Sequence, residues 1–187
     1  ITTTENITAT VVDWKATTGD IRVAGSINAP DFIQEAGKLI LNGSVAQTAK
    51  VKQIVELEVA SGAQATFSDP FILTGSMNNI GTLTITTLDW KPSVSSMKIE
   101  NEGMLNVTTL NWKPFADSII KNEGTLNTAT LNCEPQATAT TLTIEGRDEA
   151  NASNTNITAL LLENAPGKTL EIKKHISLVI NILIYDL

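Results

Sequence analysis

Three glutamates are the residues of this chain whose spacing best suits them to do chemistry. Glu102, Glu123 and Glu145 each stand directly before a glycine, at intervals of 21 and 22 residues. If the chain coils with that period, their carboxylates stack about 5 Å apart on adjacent turns. Carboxylates that close repel unless a cation or a proton lies between them, and Ca²⁺ favours oxygen ligands. The spacing therefore allows either a Ca²⁺ site or a solvated acidic edge with splayed side chains, helped by Lys121.

Other catalytic combinations are sparse. His175 is the single histidine of the 187 residues, and no serine–histidine–acid or cysteine–histidine pattern accompanies it. The chain also lacks a phosphate-binding loop, a CxxC pair and an HExxH motif. We therefore predict no catalytic residue, a protein that is not an enzyme, and no cofactor beyond the Ca²⁺ considered above.

Cys133 is the one cysteine, so it cannot form a disulfide within the chain. In a secreted protein, a leftover cysteine indicates an intermolecular disulfide or a free thiol. The alternative is a small buried apolar residue, because Cys133 stands where the two preceding repeats carry Trp90 and Trp112.

A sequence repeat must position these residues. Residues 99–106 read IENEGMLN and return at 120–127 as IKNEGTLN, while TLDWKP at 87–92 returns at 109–114 as TLNWKP. A period near 20 residues is typical of a solenoid, in which each repeat buries its apolar face against its neighbours. Eight glycines mark the repeat at intervals of 18 to 22 residues: Gly25, Gly43, Gly62, Gly81, Gly103, Gly124, Gly146 and Gly167.

Between the glycines, apolar and polar residues alternate with the period of a strand. Aligning the repeats on glycine gives two apolar columns: Leu83, Leu105 and Leu126 after it, and Met77, Ile99, Ile120 and Leu142 before it. Glycine is expected to supply backbone freedom at one corner of each repeat. Only residues 31–38 allow a short helical turn. We predict an all-β protein, a parallel β-solenoid of about 7–8 rungs with a repeat of about 19–22 residues.

Polar and aromatic columns are predicted to stack as ladders. The candidates are Asn79, Asn101 and Asn122 in one column, Asn111 and Asn132 following Asp89 in a second, and Trp90 and Trp112 in a third. Amides one rung apart can hydrogen-bond along the stack, although asparagine also simply favours turns. For the tryptophans the alternatives are a covered corner ladder and an exposed platform for sugar rings.

One domain is expected, and its ends differ from its middle. The predicted parts are an atypical N-terminal rung at 1–24, repeats at 25–172 and an apolar C-terminal strand at 173–187, all within a single domain at 1–187. Residues 147–156 lack apolar positions and are expected to loop out. The strand-prone ends, residues 1–14 and 176–184, can pair with neighbouring copies or fold back over their own stack.

Charge and composition limit the partners and the location. The net charge is −7 and no basic stripe exists, so nucleic-acid binding is not expected. The apolar stretch at 176–184 is too short to span a bilayer as a helix. Glycosylation sequons favour an extracellular, cell-surface location, and they occur at Asn6, Asn42, Asn106, Asn151 and Asn156.

The columns of Gly, Leu and Asn, with segments such as NEGTLN at 122–127, resemble extracellular parallel β-solenoid proteins over about residues 60–172. That group includes surface adhesins, secreted β-helix passenger domains, and sheath or filament subunits. The sheath proteins of methanogenic archaea are similar in kind, and they form amyloid-like β-rich hoops held partly by thiol-sensitive links. The resemblance implies a structural protein of the cell surface.

Two functions are therefore expected. The first is an extracellular structural protein that polymerises with itself, through strand edges and termini, into a sheath, filament or surface layer. The alternative is a cell-surface adhesin or carbohydrate-binding module with glycan partners. Ice binding is a minor option, because Thr84-x-Thr86 fits a threonine array but Asn127-x-Ala129 breaks it.

Overall fold

Alternating apolar and polar side chains place every regular element of the described residues in β-structure. The computed structural model describes residues 2–3, 7–8, 11–14, 19–25, 27–28, 31–43, 51–136, 141–147, 153–163, 167–174 and 176–185. Within these ranges the chain contains strands and no helix.

The first ten strands cover the N-terminal part of the chain. They are β1 (Thr2–Thr3), β2 (Ile7–Thr8), β3 (Val11–Trp14), β4 (Asp20–Val23), β5 (Ile27–Asn28), β6 (Asp31–Gln34), β7 (Lys38–Leu41), β8 (Val51–Ile54), β9 (Glu56–Val59) and β10 (Gln64–Phe67). The strands that follow are β11 (Phe71–Leu73), β12 (Met77–Asn79), β13 (Thr82–Trp90), β14 (Lys98–Asn101), β15 (Met104–Trp112), β16 (Ser118–Asn122), β17 (Thr125–Cys133), β18 (Thr141–Glu145), β19 (Ser153–Leu162), β20 (Thr169–Lys173) and β21 (Ile176–Tyr185).

Two large parallel sheets are built from these strands. The nine-stranded sheet has the order β1-β4-β7-β9-β12-β14-β16-β18-β20, and the ten-stranded sheet has the order β21-β19-β17-β15-β13-β11-β8-β6-β3 with β10 beside β13. A small third sheet pairs β2 with β5. Because successive coils add a strand to each large sheet, the chain forms a β-solenoid of about seven turns. The predicted fold class is confirmed.

The leucine columns fill the space between the two large sheets. Leu83 pairs in register with Leu105, which pairs in turn with Leu126, and all three are fully buried. The same pairings place Leu88, Leu110 and Leu131 in a second buried column. Like residues therefore lie over like residues, as the repeat predicted.

One column changes register where the repeat changes length. Ile120 pairs with Ile144, and Leu142 pairs with Ser118, so the prediction that Leu142 follows Ile120 is wrong. Ile144 lies eleven positions after Cys133 in the sequence. In the preceding repeat, the equivalent Ile120 lies only eight positions after Trp112. A shift of two residues keeps the same side chains facing inward, so Ile144 is buried opposite Ile120 and Leu142 is buried opposite Ser118.

Two further local predictions are corrected. Residues 153–156 begin β19 instead of looping out, because the small polar side chains of Ser153 and Thr155 occupy its inward positions and are buried there. Residues 148–152 lie outside the described residues. Within 31–38, Asp31–Gln34 forms β6 and not a helical turn, and its Phe32 is fully buried.

Glycines at one corner of the coil are required by the close approach of neighbouring rungs. A Cβ atom on Gly103 would lie 2.0 Å from the carbonyl oxygen of Gly81, and a Cβ on Gly124 would lie 2.1 Å from that of Gly103. A side chain at either position would therefore push two rungs apart. Gly62 has the opposite character, since its φ is +76° and the space around its Cα is open. The predicted backbone freedom thus applies to Gly62, whereas Gly103 and Gly124 are needed for their lack of a side chain.

Alanine substitutions separate these two reasons for glycine. We expect Gly103→Ala to lower the free energy of unfolding by about 2–4 kcal/mol, because the new methyl group overlaps the neighbouring backbone. Gly62→Ala should cost only about 1–2 kcal/mol, the strain of a left-handed residue. Urea denaturation of both variants measures the difference. Equal losses at the two positions would argue against close approach as the constraint at Gly103.

Candidate functional site: stacked side-chain ladders

A buried amide ladder runs along the nine-stranded sheet. Asn79 Nδ2 donates to Asn101 Oδ1 at 2.7 Å, and Asn101 Nδ2 donates to Asn122 Oδ1 at 2.7 Å. Each of these three side chains is at most 1% exposed. Asn101 Nδ2 also donates to the backbone oxygen of Thr125 at 2.9 Å, which ties the ladder to the next strand. The structure thus places the first predicted column in contact, one rung apart.

The two ends of this ladder differ. At the C-terminal end, Asn122 Nδ2 donates to Thr155 Oγ1 at 2.9 Å, so a hydroxyl group completes the row. At the N-terminal end, Asn79 Oδ1 is buried without a hydrogen-bond partner in the described chain. The residue in register on the preceding strand is Val59, whose side chain cannot donate. The ladder therefore ends on an unpaired acceptor, which costs about 1–3 kcal/mol.

A second amide ladder lies on the ten-stranded sheet and donates in the opposite direction. Asn132 Nδ2 donates to Asn111 Oδ1 at 2.7 Å, and Asn111 Nδ2 donates to Asp89 Oδ1 at 2.5 Å. The row ends on a carboxylate, which accepts hydrogen bonds more strongly than an amide does. Asn132 Oδ1 is buried and unpaired at the other end, where Leu161 follows in register.

Trp90 and Trp112 form a buried stack at the corner after β13 and β15. Their ring centroids are 5.4 Å apart with an interplanar angle of 23°, and both side chains are 0% exposed. Trp90 Nε1 donates to the backbone oxygen of Gly75 at 2.8 Å, and Trp112 Nε1 donates to Ser118 Oγ at 2.9 Å. The alternative of an exposed platform for sugar rings is therefore wrong, because no ring face reaches solvent.

Cys133 continues the tryptophan column. It pairs in register with Trp112 on one side and Leu162 on the other, and its side chain is 0% exposed. Burial raises the pKa of the Cys133 thiol to about 12. Disulfide formation requires an accessible thiolate. An intermolecular disulfide through Cys133 therefore requires this rung to open first, and the geometry matches the alternative of a buried apolar residue.

The three glutamates do not form one column. Glu102 and Glu123 occupy equivalent positions on adjacent rungs, since each backbone nitrogen donates to an asparagine carbonyl of the preceding rung. Glu145 pairs in register with Lys121 instead. The predicted column is therefore wrong at Glu145, for the same reason that Leu142 is misplaced: the chain is shifted by two residues there.

Lysine side chains accompany two of these glutamates. Lys121 Nζ lies 2.7 Å from Glu123 Oε1, and Lys174 forms an ion pair with Glu145. In the part of the chain that the structure describes, no group of three or more histidine, cysteine, aspartate or glutamate side chains is arranged to hold a metal ion. The arrangement matches the solvated acidic edge better than it matches the Ca²⁺ site.

A third amide ladder was missed in the sequence analysis. Asn156 Nδ2 donates to Asn127 Oδ1 at 2.8 Å, and Asn127 Nδ2 donates to Asn106 Oδ1 at 2.8 Å. These side chains are half-buried or exposed on the outer face of the ten-stranded sheet. Asn106 and Asn156 of this ladder are also predicted glycosylation sites. Another predicted glycosylation site, Asn42, is exposed just after β7. The sequons at Asn6 and Asn151 lie outside the described residues.

His175 also lies outside the described residues, so the expectation that the chain has no catalytic residue stays a prediction. The described strands and turns include no helix long and apolar enough to cross a membrane. Comparison of the chain with models of protein families, with curated proteins and with solved structures gave no match.

The unpaired acceptor at Asn79 predicts that a hydroxyl group introduced at the neighbouring Val59 will not destabilise the protein. Val59→Thr keeps the side-chain shape and offers a donor to Asn79 Oδ1, so we expect a free energy of unfolding equal to or above that of the parent chain. The control is Val51→Thr, at a buried position of the ten-stranded sheet that pairs with Phe32. No amide row passes through that position, so the hydroxyl should cost about 1–3 kcal/mol. Similar losses from both substitutions, measured in urea, would rule out this account.

The buried thiol predicts a loss of stability at alkaline pH. The thiol ionises near its ordinary value of 9.0 in the unfolded chain but only near 12 in the folded protein. Its contribution is therefore complete below pH 9 and declines as the pH rises toward 12, by about 1.4 kcal/mol per pH unit. The pKa of Lys113 is also raised, chiefly by its hydrogen bond to Glu134, and acts in the same direction.

Cys133→Ala isolates the contribution of the thiol. Under reducing conditions, the difference in unfolding free energy between the parent chain and Cys133→Ala should shrink by roughly 2 kcal/mol between pH 8 and pH 10.5. Lys113 is present in both proteins, so its effect cancels. A difference that is constant over this range would show that the folded thiol ionises normally.

Proposed function

We propose that this chain is an extracellular structural protein whose copies stack end to end into a sheath, filament or surface layer. The observation that carries the proposal is the exposure of core-column side chains on the last rung that the structure describes. The resemblance to β-solenoid surface proteins points the same way, although it rests on architecture and not on a shared motif.

The core columns continue to the last rung and are uncovered there. Leu183 pairs in register with Leu160, which is 1% exposed, yet Leu183 itself is 62% exposed. Ile172 pairs with the fully buried Ile144 and is 46% exposed. These side chains occupy core positions but have no rung beyond them in the described chain. A further rung would bury them as the preceding rungs are buried, and that gain favours association.

The same end carries two open strand edges. β20 and β21 stand last in the nine-stranded and ten-stranded sheets, so one edge of each has no strand partner in the described chain. Between Ile176 and Ile184 the sequence contains neither proline nor charge. Proteins that avoid edge-to-edge pairing place charges, proline or a covering segment at such an edge. The edge of β21 is therefore a template for another strand, whereas β20 carries Glu171 and Lys173.

A second copy of this chain fits that edge. The register column that ends at Tyr185 passes through Leu162, Cys133, Trp112, Trp90, Leu73 and Ile54. At the other end of the sheet, Ile33 pairs with Gln53, and the parallel continuation of that pair brings the column through Gln34 to Trp14. A copy added along the coil axis would therefore continue the ten-stranded sheet in register. Such a head-to-tail contact does not close on itself and gives a filament.

Substitution of Leu183 tests this contact. We expect the purified parent chain to form elongated assemblies, seen by electron microscopy and as concentration-dependent sedimentation. Leu183→Lys should remain monomeric, because assembly would bury an unpaired ammonium group in the core column. Its folding should be unaffected, since Leu183 is 62% exposed before assembly.

Phe115→Lys is the matched control. Phe115 is 50% exposed, but it lies in the corner after β15 and away from the ends of the coil. This variant should assemble like the parent chain. Parent protein that stays monomeric at all concentrations, or Leu183→Lys that assembles normally, would refute end-to-end stacking. Monomers that bind glycans would favour the adhesin alternative.

A further inference from the structure

A shallow groove of about 380 Å³ lies on the outer face of the ten-stranded sheet, along four adjacent strands. Its lining comes from β13, β15, β17 and β19, so the groove runs across the rungs and along the coil axis. The third amide ladder, formed by Asn106, Asn127 and Asn156, forms one side of it. This groove is separate from the open end on which the proposed assembly depends.

The ladder leaves hydrogen-bonding capacity unused on a residue that lines the groove. Asn127 uses one N–H toward Asn106 and accepts one hydrogen bond from Asn156. A side-chain amide has two N–H groups and two acceptor positions, so one of each remains available on Asn127. Because the ladder fixes the amide planes, a ligand would not have to order these side chains on binding.

The opposite side of the groove is a row of small side chains. Thr108, Ala129 and Thr158 are exposed and stand on three successive rungs, while Val107 and Thr128 are buried beneath. The hydroxyl of Thr128 donates to the backbone oxygen of Thr130 at 3.0 Å, so it is occupied within the protein. Methyl and hydroxyl groups therefore face the amide row across the groove.

No charged residue lines the groove, although the chain carries a net charge of −7. An ionic ligand would find no counter-charge there, and an anion would be repelled by the whole molecule. The ligand that fits is neutral, with many hydroxyl groups that donate and accept hydrogen bonds. Apolar CH groups between those hydroxyls would contact the threonine and alanine methyls.

The repeat of the groove selects an extended ligand. Equivalent groups recur at about 4.8 Å, one rung apart. An extended peptide presents equivalent side chains about 6.6–6.8 Å apart and would lose register after one or two contacts. An extended polysaccharide carries hydroxyl groups along both edges of every sugar unit, so it can hydrogen-bond to the amide row without matching the rung spacing unit by unit. We infer that the groove binds a neutral polysaccharide chain laid along the coil axis.

Ala129 provides a matched pair of test substitutions, because it lines the groove but takes no part in the amide ladder. Ala129→Arg fills the groove, whereas Ala129→Thr only completes the row of Thr108 and Thr158. Retention on cellulose, chitin, mannan and insoluble β-glucan is measured first, followed by titration calorimetry with soluble oligosaccharides of whichever polymer is retained. We expect the parent chain to bind one of these polymers, Ala129→Thr to bind it at least as well, and Ala129→Arg to lose tenfold or more in affinity.

Thermal unfolding of both variants establishes that they fold, since Ala129 is exposed and tolerates either side chain. Leu183→Lys should bind the same polymer as the parent chain does, which separates this site from assembly. The inference is overturned if the parent chain is retained by none of the four polymers, or if Ala129→Arg binds undiminished. It is also overturned if the groove instead slows the growth of ice crystals in a way that Ala129→Arg abolishes.

Discussion

The distance between successive rungs is the constraint on which the rest of this structure depends. Parallel in-register pairing places every residue about 4.8 Å from its equivalent, so each column must hold residues that tolerate a copy of themselves. At Gly103 that distance leaves no room for a Cβ atom. Amides meet the requirement because they both donate and accept, and Asn101 bonds to a neighbour on each side at 2.7 Å. Charges do not, and the outward column of the nine-stranded sheet alternates in sign: Glu100, Lys121, Glu145 and Lys173.

Amide ladders have a direction, and their ends are therefore costly. The buried ladder donates toward the C-terminus, whereas the two ladders of the ten-stranded sheet donate toward the N-terminus. Each row has an acceptor without a donor at one end, and at the other end a donor that needs an acceptor from outside the row. Thr155 and Asp89 complete one end of two of these rows, while Asn79 Oδ1 and Asn132 Oδ1 remain unpaired. A longer stack spreads this cost over more rungs, and this physical reason favours long solenoids over short ones.

The ends of the coil follow from the same geometry. A rung in the middle is covered on both sides, so Leu160 is buried, but its equivalent Leu183 on the last rung is exposed. The last rung therefore offers apolar side chains and free backbone groups together. The groove on the outer face of the ten-stranded sheet has a different character, because its lining amides and threonines are neutral. The proposed assembly and the inferred ligand binding would thus use separate surfaces of one repeated unit.

The amino-acid sequence by itself determined the class of fold, the leucine columns and two of the three amide ladders, because each of these features recurs at a nearly constant interval. It misplaced Leu142 and Glu145, since a shift of two residues preserves the alternation of inward and outward side chains and leaves no trace in the pattern. It also missed the third ladder: Asn106 and Asn127 share the period, but Asn156 lies 29 residues after Asn127 and does not. Only the tertiary structure decided which residues meet across those irregular corners and which columns are covered. Those properties depend on packing against neighbouring rungs, which cannot be deduced from the spacing of residues along the chain.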